Sequence, residues 1–202
     1  MKKYLSILAV AAMAAYATSA FAQGTVVFSN GTGQVKQWTA ADNSTLMNVP
    51  KGGGSVQLYW APAGTAYQGW TGTSSAAAWF ASNPGWTLGP VVGFTTPSAG
   101  KFSGGQLTLT PLTPAGSGID YVIIGWTGTH AGLDAALTAN AMVGVSTKTP
   151  SGTGNPTTTP PGTPTGLSDT FAGMTLQPVP EPSTFALAGL GAAALLIFRR
   201  RK

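Results

Sequence analysis

The chemistry open to this chain turns on few residues. There is one histidine, His130, four aspartates, Asp42, Asp120, Asp134 and Asp169, and one glutamate, Glu181, near the C-terminus. On a helix, His130 and Asp134 stand four residues apart on one face, and Asp120 opens the segment before them. A Ser-His-Asp set can be assembled from such types, but no Gly-x-Ser-x-Gly elbow accompanies them. Paired carboxylates could act on glycosidic bonds, yet the four aspartates fall singly beside turn residues. Zinc needs three or four ligands and only one imidazole exists. Calcium is served by oxygen ligands, but no Asp-x-Asp-x-Asp loop occurs. The chain has no cysteine, which removes thiolate metal sites, a thiol nucleophile, a lipid-anchoring cysteine and disulfides. These residues predict a protein that is not an enzyme and has no metal site and no cofactor. An envelope hydrolase built on His130 is the least favoured alternative.

A second kind of chemistry is stacking. Six tryptophans occur, Trp38, Trp60, Trp70, Trp79, Trp86 and Trp126. Trp60 and Trp126 end apolar runs and are expected in the core. Trp70, Trp79 and Trp86 lie among Gly, Ser, Asn and Pro, and are the candidates for stacking on sugar rings or on another protein. A carbohydrate-binding module using these residues is the alternative to a structural or interaction protein.

Charge is scarce and unevenly placed. Charged residues make up 7% of 202, far below the roughly 25% of an ordinary soluble domain. Lys36, Lys51, Lys101 and Lys148 balance the four aspartates, so residues 23–178 sum to zero and the net +5 belongs to the two ends. Without a basic patch the chain lacks the electrostatic footprint of nucleic-acid binding. The four lysines are expected to be solvated or to guard sheet edges.

Residues 1–22 have Lys2 and Lys3, an apolar run, and Ala20-Phe21-Ala22 before Gln23. This is the layout of a signal peptide cut by signal peptidase between Ala22 and Gln23, the small Ala20 and Ala22 fitting the peptidase subsites. Residues 179–202 begin Val179-Pro180-Glu181-Pro182-Ser183-Thr184, continue as an apolar or small stretch over 185–198, and stop at Arg199, Arg200, Arg201 and Lys202. As a helix the 14-residue stretch reaches about 21 Å, short of a ~30 Å hydrocarbon core, so spanning relies on snorkelling and local thinning. The cations fix its C-terminal end in the cytoplasm.

In its motif, apolar stretch and arginine cluster, this C-terminal segment resembles the PEP-CTERM protein-sorting signal. The resemblance implies recognition and processing by exosortase, with Pro180, Glu181 and Pro182 as the recognised residues and the helix and arginines as the retention part. It implies transit through the inner membrane and delivery to the cell surface or extracellular matrix, often beside extracellular polysaccharide. Gly24-Thr25-Val26-Val27-Phe28-Ser29-Asn30 is similar to the start of mature exported PEP-CTERM proteins, which implies a β-sandwich of unassigned role and supplies no catalytic residue.

The elements that must carry these residues are mostly strands. β-formers cluster between Gly, Pro and Asn breaks over 25–29, 35–39, 55–60, 90–95, 106–110, 121–126, 142–147 and 171–177, predicting an antiparallel sandwich, Ig-like or jelly-roll-like. Val56, Leu58 and Trp60 alternate onto one face, and 121–126 reads as a central strand. Short helices are predicted over 74–82 and 131–139. Asn30-Gly31 and 52–54 are predicted as turns that accept positive φ. From 147 to 166 only Thr, Lys, Pro, Ser, Gly and Asn occur, predicting a solvated loop within the 23–178 body, with O-linked sugar on its threonines as a functional alternative.

Overall fold

A computed structural model of the chain describes residues 23–39, 44–72, 74–94, 98–110, 114–179 and 189–191. The signal peptide with Ala20 and Ala22, the motif residues Pro180 to Thr184, most of the apolar stretch, Arg199 to Lys202, and Asp42 lie outside the described residues.

The fold is mainly β and is built on one long ladder. Strands β4 (Gly54–Pro62) and β7 (Gly118–Thr127) pair antiparallel from Gly54 opposite Thr127 to Pro62 opposite Ile119 without interruption. Both strands are continuously apolar enough to be buried on both faces. Alternation sends Val56, Leu58, Trp60, Ile119, Tyr121 and Ile123 to one core, and Tyr59, Ala61, Val122, Ile124 and Trp126 to a second. β5 (Thr87–Gly93) flanks β4, while β8 (Val143–Val145) and β9 (Thr149–Gly152) pair with successive stretches of β7.

The first core is closed by two small sheets. One has the order β10-β1-β6, with β1 (Thr25–Ser29), β6 (Ser103–Thr108) and β10 (Thr165–Gly166); the other is β11-β2-β3, with β2 (Val35–Trp38), β3 (Leu46–Asn48) and β11 (Met174–Leu176). They bring Val26, Phe28, Val35, Met174 and Leu176 against the central sheet, with Phe94, Phe102 and Phe171 in edge-on and tilted contact at ring-centroid distances of 5.0 to 6.4 Å. The second core lies under α1 (Ala76–Ser82) and α2 (Leu133–Thr138). The sandwich of the sequence reading therefore carries a helical cover on its outer face.

Both short helices were predicted, and both depend on contacts outside themselves. Ser75 caps α1 by accepting from the Ala78 N–H at 3.2 Å, and the Asp134 carboxylate on α2 accepts from the Ala76 N–H at 2.6 Å. An acid at that position also matches the positive end of the helix.

Three expectations are corrected. The pairing is not purely antiparallel: β10 runs parallel to β1, and β11 parallel to β2. The 147–166 segment is not one solvated loop, because its backbone pairs as β9 with β7 and β10 with β1, and Thr25 exchanges two hydrogen bonds with Gly154. A ladder needs backbone N–H and C=O groups, not apolar side chains, and Gly154 permits a close approach to the 163–164 backbone. Lys148 is not merely solvated; its Nζ lies 3.0 Å from Oδ2 of the buried Asp120. β3 and a 3-10 turn at Leu167–Asp169 were not foreseen.

Asn30 also acts differently from expectation. Gly52 does take positive φ, at 71°, but neither Asn30 nor Gly31 does. The buried Asn30 amide instead donates to the carbonyls of Gly33 (2.7 Å) and Gly100 (2.8 Å), and accepts from the Phe102 N–H (2.7 Å). It thereby ties the end of β1 to the approach of β6. Asn30→Ala strands the Gly33 carbonyl and the Phe102 N–H, while the Gly100 carbonyl keeps its bond from the Val35 N–H at 3.1 Å, and is expected to lower stability by about 2 kcal/mol in denaturant unfolding.

Candidate functional site

The six tryptophans separate by burial. Trp60 and Trp126 are core residues, as expected. Trp79 and Trp86, two of the three candidate stacking residues, are also core residues at 2% and 6% exposure, which withdraws their ring faces from any ligand. Trp79 sits on the inner face of α1 and meets Tyr59, Phe80 and Trp86 edge-on at ring-centroid distances of 5.1, 5.1 and 5.6 Å. Tyr67 closes the group against Trp86 at 5.2 Å. Edge-to-face packing of this kind adds to plain area burial.

Polar clamps fix the loop that carries these rings. The Asn83 side chain accepts from the Gln68 N–H (2.6 Å) and donates to the carbonyls of Gln68 (3.1 Å) and Trp79 (2.9 Å). Trp86 Nε1 donates to the Ala66 carbonyl at 2.8 Å. Trp70 alone of the three remains half-buried; its Nε1 donates to the Ser74 carbonyl at 2.8 Å, which orients the ring at the border of the cluster. The Gly, Ser and Asn neighbours misled the sequence reading because they shape the loop backbone and say little about which way a neighbouring indole turns.

The acid–base candidates are not brought together. Asp134 caps α1, Asp120 accepts from the Gly64 N–H (3.0 Å) and from Lys148, and Asp169 accepts from the Ser168 hydroxyl at 3.1 Å. The His130 carbonyl accepts from Trp126 Nε1 at 3.3 Å, and its imidazole lies over Gly128. Among the described residues no group of three His, Cys, Asp or Glu side chains could hold a metal ion. A shallow polar groove of about 370 Å³ lies at the start of the paired strands β2 and β11, lined by Gln34, Lys36, Gly173 and Thr175.

The junction with the C-terminal segment is well defined. Beyond β11, Gln177 and Val143 exchange two backbone hydrogen bonds of 2.9 and 3.0 Å. Val179, first residue of the motif, packs half-buried against the aromatic cluster. Sequence reasoning placed Val179 wholly in the tail, whereas its apolar side chain also belongs to the body. Among the described residues no helix is long and apolar enough to cross a membrane, and 189–191 form an exposed helical turn.

Residues 178–202 match the model of the PEP-CTERM protein-sorting motif. No curated protein and no solved structure matches the chain. The motif makes this an exported protein, processed by exosortase and sorted to the cell surface.

Truncating the two classes of indole should separate them. Trp79→Ala is expected to cost about 3–5 kcal/mol in denaturant unfolding, and Trp70→Ala about 1 kcal/mol. Alkali provides a second check. Burial pushes the Tyr59 hydroxyl well above its ordinary 10.0, with Asp134 adding to the rise, and burial also raises Tyr67 and Tyr121. A phenol with a raised pKa holds its proton more tightly in the folded state, so this contribution is intact below pH 10 and is lost as pH climbs above it. The tyrosinate absorbance of these residues should therefore appear together with unfolding, not before it.

Proposed function

We propose that this protein works without catalysis as a structural or interaction component of the cell envelope or extracellular matrix. In this reading signal peptidase cuts after Ala22, the precursor is held in the inner membrane by 185–198 during transit, and exosortase acts at the Pro180-Glu181-Pro182 motif. The observation that carries the reading is the junction. Among the described residues the last backbone pair, Gln177 with Val143, lies three residues before Pro180, so removal of the tail leaves every described strand of the body in place. The engagement of Asp120 and Asp134 in structural contacts supports the non-enzymatic part, since a general base needs an oriented partner.

Carbohydrate binding remains a second reading, narrowed to Trp70, whose half-buried ring is oriented by Ser74 at the edge of the aromatic cluster. Loss of glycan retention in Trp70→Ala, against unchanged retention in a conservative surface variant, would support it. Wild-type protein that retains no glycan excludes it.

Glu181→Ala, or deletion of Arg199 to Lys202, is expected to leave precursor with its C-terminal segment unprocessed in the membrane fraction. Surface delivery at the wild-type level would count against recognition of the tail. The intact mass of the native protein should correspond to a chain starting at Gln23 and shortened within the C-terminal segment, with any O-linked sugar seen as added mass.

A further inference from the structure

The edges of the sheets are where a mainly β chain can meet another chain, and most edges here are blunted. β5 carries Pro90 and a bulge opposite Leu58. β6 bulges opposite Phe28, with Gly105 at a φ of 71°. β9 contains Pro150, the outer side of β8 is taken up by Gln177, and β10 is only two residues long.

β3 is short as well, at three residues, but has none of the other devices. It ends the order β11-β2-β3, contains no proline, charge or bulge, and exposes Leu46 at 42% and Met47 at 43%. Its register against β2 sets Trp38 opposite Leu46, Gln37 opposite Met47 and Lys36 opposite Asn48, and the Thr39 N–H donates to the Thr45 carbonyl at 3.0 Å. Antiparallel ladders alternate between bonded and non-bonded pairs. Gln37 and Met47 are thus the bonded pair, and the N–H and C=O groups of Leu46 and Asn48 turn away from β2.

We propose that β3 is a docking edge whose occupant is β3 of a second copy of this chain, paired antiparallel about a twofold axis through Met47. In that register Leu46 of each copy faces Asn48 of the other, and these are the residues with outward backbone groups. The register uses no residue outside β3, and the twofold makes the contact self-complementary. The two Met47 side chains meet as a non-bonded pair, the closer of the two kinds. The charge balance favours a second copy as occupant: residues 23–178 sum to zero, so the bodies do not repel each other. Lys36, opposite Asn48 on β2, would lie about 16 Å from its counterpart, three strand spacings across and two residues along, beyond the ~8 Å screening length at physiological salt. So short a ladder makes a weak contact, suited to a protein concentrated on a surface. The inference does not rest on the sorting signal.

The absence of native cysteine gives a clean test in the full chain. A non-bonded antiparallel pair places its Cα atoms about 4.5 Å apart, within disulfide range. Met47→Cys should therefore form a disulfide-linked homodimer under mild oxidation at least tenfold faster than Leu88→Cys, an exposed position on the blunted edge of β5. Equal rates, or a mixed disulfide with a different protein in place of the homodimer, would overturn the proposal. In sedimentation, the wild-type chain should show concentration-dependent association that Met47→Lys removes while the circular dichroism spectrum stays unchanged. Identical sedimentation of the two proteins would also overturn it.

Discussion

The continuous pairing of β4 with β7 is the constraint on which the rest of the molecule depends. Because both strands are buried on both faces, the sheet they form cannot stop at one layer of cover. Two small sheets close one side, and two short helices with an aromatic loop close the other. Neither kind of cover is long enough to stand alone. The helices have seven and six residues, and the small sheets have three strands each. Their stability is borrowed from the face they bury.

With so little charge and no disulfide, specificity inside this body falls to neutral amides. Asn30 and Asn83 each bind three backbone groups, Asn30 joining segments some 70 residues apart, and Gln57 donates to the Gly89 carbonyl at 2.9 Å while accepting from the Tyr59 hydroxyl at 3.2 Å. A satisfied buried amide fixes one geometry among many that an apolar core would accept. The single ion pair among the described residues, Lys148 with Asp120, works in the same manner by fastening the start of β9 to β7.

Much of this was legible in the amino-acid order. The alternation in 55–60 and the apolar run at 121–126 announced the central strands, and the alanine-rich stretch announced α1. The sorting motif was legible because it is defined by local order: a proline-flanked glutamate, an apolar stretch and a basic stop. What escaped was decided by distant partners. β9 and β10 have no apolar pattern and exist because β7 and β1 offer unfilled ladders. Trp79 and Trp86 were expected to offer their ring faces because their burial comes from Tyr59 and Tyr67, and no local window contains that information. The parallel pairings escaped for the same reason.

Those parallel pairings have a consequence for how the chain reaches its folded form. β1 and β2 emerge first, yet β1 is flanked by β10, and β2 by β11, strands that lie more than a hundred residues later. A polypeptide threaded N-terminus first through a narrow pore can therefore complete neither small sheet until almost its whole length has passed. Contacts so remote in sequence form slowly. For a secreted protein that delay is an advantage, since it keeps the leading half loose enough to be pulled through.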